Sequence, residues 1–228
     1  MTNARPFRAA LERRAGQTPE DPFLFFRGER GHFRWWSFAR AAACLAGAPA
    51  GGGARPGEEE AEGFLRRADE VGSAAPAAGV AAALGPVLAG RDIWISHRPL
   101  GVSPEADLAL WAAESGAAVL REPGERLHPG LFGWARPTIL SSPGAALEEL
   151  LAGFGGLAPR FGARRWARRR LARLRAVLVE AGEVAPVREM LVALGAPATL
   201  RVLPFPGSGL GLRQRPADGG GSEEGGTR

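Results

Sequence analysis

Segments typical of strands alternate with segments typical of helices through the second half of the chain, and this alternation restricts the fold more than any other feature. The strand-like segments are short and mostly apolar. They lie at 92–97, 117–121, 137–141, 175–180 and 198–203, and helices are expected to begin at Ser103 and Ser142, before 175 and over 185–195. Because strand–helix–strand units form parallel sheets covered by helices, we predict an α/β fold with an open, mostly parallel sheet flanked by helices.

The amino-terminal part predicts two helices and a hairpin that precede this sheet. An amphipathic helix is expected over 5–15, where apolar residues recur at helical spacing. The aromatic segments 22–28 and 32–36 flank a turn, a pattern typical of a β-hairpin. Ser37 then stands where an N-cap begins a second helix, and Gly47 is expected to end it.

Composition divides the chain into four parts. A linker rich in glycine and proline precedes an acidic helix at 58–71, and the carboxy-terminal tail is too polar to form a core. The four parts are the helix–hairpin–helix unit at 1–47, the linker and acidic helix at 48–74, the α/β domain at 75–212 and a disordered tail at 213–228.

An uncharged segment at 74–90 invites a test for a membrane span. Alanine and glycine dominate this segment, and Pro76 and Pro86 interrupt it. Since a spanning helix needs about 20 strongly apolar residues, we expect no transmembrane helix. Cys44 is the only cysteine and the amino terminus lacks the apolar stretch of a signal peptide, so a reducing, cytoplasmic location is expected.

The sequence contains no lysine and no tyrosine, so arginine carries all 29 of its basic side chains. A lysine ammonium closes many phosphate-binding loops and forms Schiff bases, and arginine, which stays protonated, does not replace it in those roles. The 24 acidic residues leave a net charge of +5, so charge alone does not require a nucleic-acid partner.

Four segments, taken in order, carry a resemblance to a known family. The first, at 17–47, is a hairpin leading to a Trp-Ser helix start, and the second, at 82–123, is a Pro-Leu segment that runs on to a Gly-Ala turn. The third, at 135–153, is an Arg-Pro-Thr strand with its helix, and the fourth, at 170–211, is a strand–turn–helix–strand unit. Together they resemble the AMP-binding (adenylate-forming) superfamily and are most similar to its long-chain acyl-CoA synthetase branch. The resemblance implies an incomplete relative of the amino-terminal adenylation domain.

The residues with which that family handles ATP are missing from the matching segments. A Ser/Thr/Gly-rich phosphate loop ending in Pro-Lys-Gly would lie between the first and second segments, and nothing similar occurs there. Pro99 and Leu100 match the Pro-Leu-x-His motif, but Val102 replaces its histidine. Residues 204–209 stand in place of the Tyr-Gly-x-Thr-Glu motif, so its threonine and its Mg²⁺-binding glutamate are absent.

The resemblance therefore implies a degenerate, ligase-like pseudoenzyme of bacterial type, and we expect it to bind no cofactor. Acyl-adenylate formation needs cradled phosphates, a carboxylate-held metal and a cation on the transferring centre. ATP, Mg²⁺ and CoA would be cofactors only if the family activity survived, in which case the chain would be an acyl-CoA or acyl-adenylate ligase. The expected ligand is an acyl or aryl group or an active ligase partner, and the alternative is one half of a split acyl-CoA ligase.

The same resemblance indicates which residues would form a residual site. An aromatic side chain would stack on adenine, glycines would line the nucleotide side, and an apolar group would fill the acyl pocket, although core packing is the simpler role for the tryptophans. The candidates are Phe205, Gly207 and Gly182 for the cofactor and Pro99, Leu100, Trp94 and Trp111 for the substrate pocket.

The most strongly charged segment, 159–175, supports an alternative from another class. An arginine-rich adaptor would use residues 160–175 of this segment to bind lipid headgroups, nucleic acid or an acidic protein. A solvated helix face, with arginine stems covering apolar surface, explains the same pattern and is favoured. Nucleic acid is disfavoured, and peripheral membrane contact stays open. The candidate anion-binding residues are Arg164, Arg165, Arg168 and Arg169.

Metal and hydrolase sites are not indicated. The three histidines are scattered and the chain has one cysteine, so no metal-ligand spacing occurs. His97 closes a predicted strand, which favours a hydrogen-bonded structural histidine. Ser96, Ser141 and Ser142 are conceivable nucleophiles, but no Gly-x-Ser-x-Gly turn supports a hydrolase.

Overall fold

A computed structural model describes residues 5–28, 32–48, 57–71, 84, 92–97, 103–122, 127, 130–156 and 168–205. Within these residues, no helix has the length and apolar character needed to cross a membrane. The amino-terminal elements are α1 (Pro6–Gln17), β1 (Pro22–Arg27), β2 (Phe33–Ser37), α2 (Phe38–Leu45) and α3 (Glu58–Val71). The later elements are β3 (Ile93–Ser96), α4 (Ser103–Ser115), β4 (Ala118–Arg121), α5 (Leu131–Trp134), β5 (Ile139–Ser141), α6 (Gly144–Gly156), β6 (Ala176–Val179), α7 (Val184–Ala193) and β7 (Arg201–Pro204).

The seven strands form one sheet in the order β2-β1-β4-β3-β5-β6-β7. β2 is antiparallel to β1, and every other neighbouring pair is parallel. The predicted α/β class and mostly parallel sheet are therefore confirmed. From β3 the chain continues to β4 on one side, whereas from β5 it continues to β6 on the other. The carboxyl ends of β3 and β5 thus form a topological switch point, the place where ligands bind in open α/β sheets.

The amino-terminal hairpin and the cap of α2 are also confirmed. β1 pairs with β2 in antiparallel register, with Phe25 opposite Trp35. The side-chain oxygen of Ser37 accepts a hydrogen bond from the backbone N–H of Arg40 at 3.2 Å, which satisfies one of the donors that a helix start leaves unpaired. Gly47, with φ of +83°, follows the helix in the left-handed conformation that glycine adopts readily.

Helices cover both faces of the sheet, so the strands are buried on both sides. Alternate strand residues such as Trp94 and Val119 face one layer of the core, which is completed by α1 to α4. Their neighbours Ile95 and Leu120 face a second layer completed by α5, α6 and α7. Two-sided burial explains why these strands are apolar runs without polar alternation.

Helix α3 packs into the first layer through Ala61, Phe64 and Leu65, all of which are buried. Its bounds agree with the helix predicted over 58–71. Residues 49–56 of the linker and the tail lie outside the described residues, so the division into four parts stays a prediction.

The start of α6 differs from the prediction that Ser142 caps this helix. The first helical residue is Gly144, and its backbone N–H donates to Oε2 of Glu183 at 2.9 Å. A Cβ at Gly144 would overlap the carboxylate of Glu183, so the glycine permits this close approach. The cap comes from the turn after β6, and Ser142 instead donates to the carbonyl of Pro143 at 3.2 Å.

Candidate functional site

Polar side chains gather where the parallel strands end. Because β1 and β3 to β7 are parallel, their last residues meet at one edge of the sheet, here called the carboxyl edge. The titratable or hydroxyl side chains that end or directly follow strands at this edge are Arg27, Ser96, His97, Arg121, Glu122, Ser141, Ser142 and Glu180.

His97 and Ser142 lie at the switch point itself, one after β3 and the other after β5. Nδ1 of His97 is 3.2 Å from Oγ of Ser142, and both residues are buried. Because the single hydroxyl proton of Ser142 is donated to Pro143, the geometry suits an Nδ1–H that donates to the serine. A nucleophilic serine would instead donate its proton to the imidazole, so this arrangement does not support a hydrolase.

A buried hydrogen-bond network lies directly beneath this pair. Glu105, on α4, accepts hydrogen bonds from the hydroxyls of Ser141 at 2.7 Å and Ser96 at 3.1 Å. The indole N–H of Trp94 donates to Oγ of Ser141 at 2.9 Å, and Nη1 of Arg121 donates to Oγ of Ser96 at 3.0 Å. The network ties α4 to three neighbouring strands and fixes the side chains that lie next to His97 and Ser142 in the chain.

The charges at the carboxyl edge are arranged in pairs. Burial lowers the pKa of Arg121, and the nearby carboxylates of Glu105 and Glu60 oppose that change. Burial likewise raises the pKa of Glu60, whose Oε1 lies 3.6 Å from Nε of Arg121. Nε of Arg27 lies 2.8 Å and 2.9 Å from the two carboxylate oxygens of Glu122. These ion pairs hold the side chains of Arg27 and Arg121 in place at the carboxyl edge and place a carboxylate beside each guanidinium.

Solved structures share this architecture. CmiS6 superposes with a TM-score of 0.57 at 12% identity, covering 90% of this chain and 72% of that one. The O-succinylbenzoate coenzyme A synthetase (MenE) of Bacillus subtilis, in complex with AMP, superposes with a TM-score of 0.51 at 13% identity, covering 82% and 71%. VinN in complex with L-aspartate does so with a TM-score of 0.51 at 9% identity, covering 86% and 74%. This chain has the fold of these proteins.

The fold that the resemblance in the sequence implies is thus confirmed. No family model matches the sequence, and no curated protein matches it. In the complex of the same synthetase with OSB-AMP, the match covers 57% of the synthetase chain. Identities of this size establish the fold and leave the activity to be argued from the site.

The aromatic residues proposed for the adenylation site are in the core. Trp94, Trp111 and Phe205 are 0%, 5% and 2% exposed, and all three belong to the first layer. The backbone N–H of Phe205 donates to the carbonyl of Val179 at 2.9 Å, which continues the pairing of β7. Contact of these rings with adenine or an acyl group would require them to leave their packing, and it stays a prediction.

Gly182 lies in a short 3₁₀ turn, Ala181–Glu183, which follows β6 at the carboxyl edge. A Cβ at Gly182 would have no described atom within 4 Å, so the described part of the structure leaves room for a larger residue at this position. Arg168 and Arg169 are exposed on a helical turn at 168–171. The other candidates, Pro99, Leu100, Gly207, Arg164 and Arg165, lie outside the described residues.

Sequence reasoning did not single out the network around Glu105. The available signals were the carboxylate of Glu105 in the first turn of a mostly apolar helix and Arg121, which ends an apolar strand. Buried charged side chains are rare unless they are paired, so each of these positions pointed to a partner. The sequence alone did not show that the partners were the serines of neighbouring strands.

Proposed function

We propose that this chain is a ligase-like domain that binds a small carboxylate, acyl or aryl, at the carboxyl edge and does not form acyl adenylates by itself. The observation that carries the proposal is the meeting of His97 and Ser142 at the switch point between β3 and β5. Crevices at this position are where open α/β sheets bind ligands. The buried network under the pair supplies the rigid support that a binding site needs.

The ligands of structures with this fold support the choice of ligand class. One is described in complex with AMP and another with L-aspartate, so the fold accommodates a nucleotide in one case and a small carboxylate in the other. A carboxylate is retained in the proposal because it does not need the phosphate-handling motifs that this sequence lacks.

The side chains present do not fit the ATP half of adenylation. Within the described ranges, no group of three or more His, Cys, Asp or Glu side chains could hold a metal ion. The carboxylates of Glu105 and Glu122 are engaged by serine hydroxyls and by Arg27. Residues 204–209 lack the threonine and glutamate of the matching motif, and the chain contains no lysine. Loss of even one oxyanion donor costs about 10²–10³ in rate, so loss of all these groups should leave no useful adenylation by the chain alone.

Binding can be tested by thermal shift with fatty acids, aryl carboxylates, AMP and ATP–Mg²⁺, together with an assay for pyrophosphate release. A ligand bound only by the folded chain raises its stability, by about 2.7 kcal/mol at a concentration of one hundred times Kd. We expect a carboxylate to stabilise the chain without pyrophosphate release. Ser142→Ala should weaken this effect, because it removes the hydroxyl that holds the imidazole of His97 in place, whereas the control Ser115→Ala, on the end of α4, should preserve it.

Two results would decide against the proposal, and a third would add a partner to it. Pyrophosphate release from ATP by the isolated chain would show that the domain is an active ligase. Release only after a second polypeptide is added would support the split ligase. The absence of a shift with every carboxylate would remove the ligand-binding role.

A further inference from the structure

Four arginines surround one cavity at the opposite edge of the sheet, where β5 and β6 begin. The cavity has a volume of about 430 Å³ and is lined by Arg136, Arg169, Arg170 and Arg173 with Phe132, Gly133 and Ala172. We name these four arginines and their cavity the arginine pocket. No carboxylate is among the described residues that line it.

The chain holds these arginines in place through its packing. Leu171 and Leu174 are 1% and 2% exposed and belong to the second core layer, which anchors the segment that carries three of the arginines. Arg136 comes from the loop before β5 and has φ of +49°, a left-handed conformation that is uncommon for a non-glycine residue. Two separate segments of the chain therefore converge on the same cavity.

Arg170 is also fixed by a close approach to the backbone. A Cβ at Gly133 would overlap the guanidinium of Arg170, so only a glycine at this position allows the side chain to lie across α5. The guanidinium is half-buried by this contact, whereas Arg136, Arg169 and Arg173 are exposed. The wall of the arginine pocket thus combines one positioned guanidinium with three that can move toward a ligand.

We propose that the arginine pocket binds a small ligand through a phosphate or diphosphate group. Guanidinium groups form paired, planar hydrogen bonds with phosphate oxygens, so several of them around one cavity suit a phosphate group. The volume falls in the range of about 300–1,000 Å³ that is usual for small-molecule sites. Nucleic acid would instead call for a charged stripe that follows its backbone, whereas these arginines converge on one concavity.

This site is independent of the one proposed at the carboxyl edge. It lies at the amino ends of β5 and β6, whereas His97 and Ser142 lie at the carboxyl ends of β3 and β5. Of the arginines selected from the sequence, Arg169 lines the pocket and Arg168 does not. Failure of carboxylate binding would leave this proposal unaffected.

The test is a calorimetric titration of the full chain with inorganic pyrophosphate, ADP and inorganic phosphate. The test variant is Arg169→Gln/Arg173→Gln, and the matched control is Arg13→Gln/Arg67→Gln, which removes two exposed charges elsewhere. Loss of two charge-assisted contacts should weaken pyrophosphate binding by roughly tenfold or more in the test variant. The control should change it by about twofold or less, because distant surface charges are screened. All four substituted side chains are exposed, so both variants should fold.

Vesicles distinguish a free phosphate from a lipid headgroup. Binding to phosphatidic acid vesicles but not to phosphatidylcholine vesicles, with the same sensitivity to the test variant, would assign the phosphate to a headgroup. Equal weakening in the test and control variants would overturn the proposal in favour of diffuse charge. The proposal would also be overturned if the chain bound none of pyrophosphate, ADP, phosphate and phosphatidic acid. Binding of a short RNA whose affinity fell equally in the test and control variants would overturn it as well.

Discussion

The indole N–H of Trp94 donates a hydrogen bond to Oγ of Ser141 at 2.9 Å, between two neighbouring strands and inside the core. The hydroxyl of Ser141 donates a hydrogen bond to Glu105, whose other carboxylate oxygen accepts one from Ser96. A chain of hydrogen bonds therefore runs under the switch point. Each buried polar group in it has a partner, which is the condition under which such a network contributes to stability.

Removal of the central acceptor should be costly. We expect Glu105→Ala to lower the free energy of unfolding by about 3–5 kcal/mol, since the change deprives two buried hydroxyls of their carboxylate acceptor and removes one of the carboxylates near buried Arg121. Urea denaturation measures this difference. The control Glu148→Ala, on an exposed position of α6, should stay within about 0.5 kcal/mol of the unmodified chain. A similar decrease in the free energy of unfolding of the two variants would show that the network does not stabilise the fold.

A second buried carboxylate joins α3 to α1. Asp69 is 1% exposed at its side chain, and its Oδ2 lies 2.9 Å from Nη2 of Arg8 and 3.2 Å from Nη1 of Arg5. We expect Asp69→Asn to cost about 1.5–3 kcal/mol, the usual range for hydrogen bonds to charged groups. Arg8→Gln should cost less, because Arg5 still pairs with the carboxylate.

The double-mutant cycle of Asp69→Asn with Arg8→Gln isolates their interaction. We expect a coupling energy of about 0.5–3 kcal/mol from equilibrium unfolding of the two single variants and the double variant. Additive effects of the two substitutions would argue that the ion pair is incidental to the packing of α3.

The pH dependence of stability should carry the signature of Asp92, which precedes β3. Burial raises the pKa of this carboxyl group, and a hydrogen bond with Thr138 and the charge of Arg175 oppose the change. The folded chain therefore keeps the proton to higher pH than the unfolded chain does. The stability that this group contributes is complete below its unfolded pKa of about 3.9 and is lost as the pH rises through its folded pKa.

Asp92→Asn removes this titration and so tests it. The stability of the variant relative to the unmodified chain should increase as the pH rises above the unfolded pKa of about 3.9, whatever constant cost the substitution adds. Denaturation at a series of pH values measures the difference curve. Glu148→Gln serves as the matched control with an exposed carboxyl group, and a flat difference curve for Asp92→Asn would rule out the raised pKa.

Local patterns in the sequence were sufficient to predict the fold class and several of its local features. The alternation of strands and helices predicted the parallel sheet, and the cap at Ser37 and the bounds of α3 follow from residues only a few positions apart. The cap of α6 could not be predicted in this way, because Glu183 reaches Gly144 from 39 residues further along the chain. Packing, rather than local preference, selected that partner.

The candidate sites show the same division. Carboxyl-edge residues could be placed near one another once parallel strands were predicted, yet the pairing of Arg27 with Glu122 spans 95 residues and has no local signal. The sequence located an arginine-rich segment, but the pocket also needs Arg136 from a different loop and the approach of Arg170 to Gly133. These features depend on how the second core layer packs.

An exposed aromatic stack should stabilise the hairpin against α5. Trp134, 54% exposed, lies parallel to Phe33 with ring centroids 4.5 Å apart and meets the edge of Phe25 at 5.8 Å. Such ring pairs are worth about 0.5–1.5 kcal/mol beyond the area they bury, so Trp134→Ala should cost at least that much more than Trp35→Ala. Trp35 is a matched control because it is 50% exposed on the same hairpin. Chemical denaturation compares the two variants, and equal losses would indicate that the stack adds nothing to ordinary surface burial.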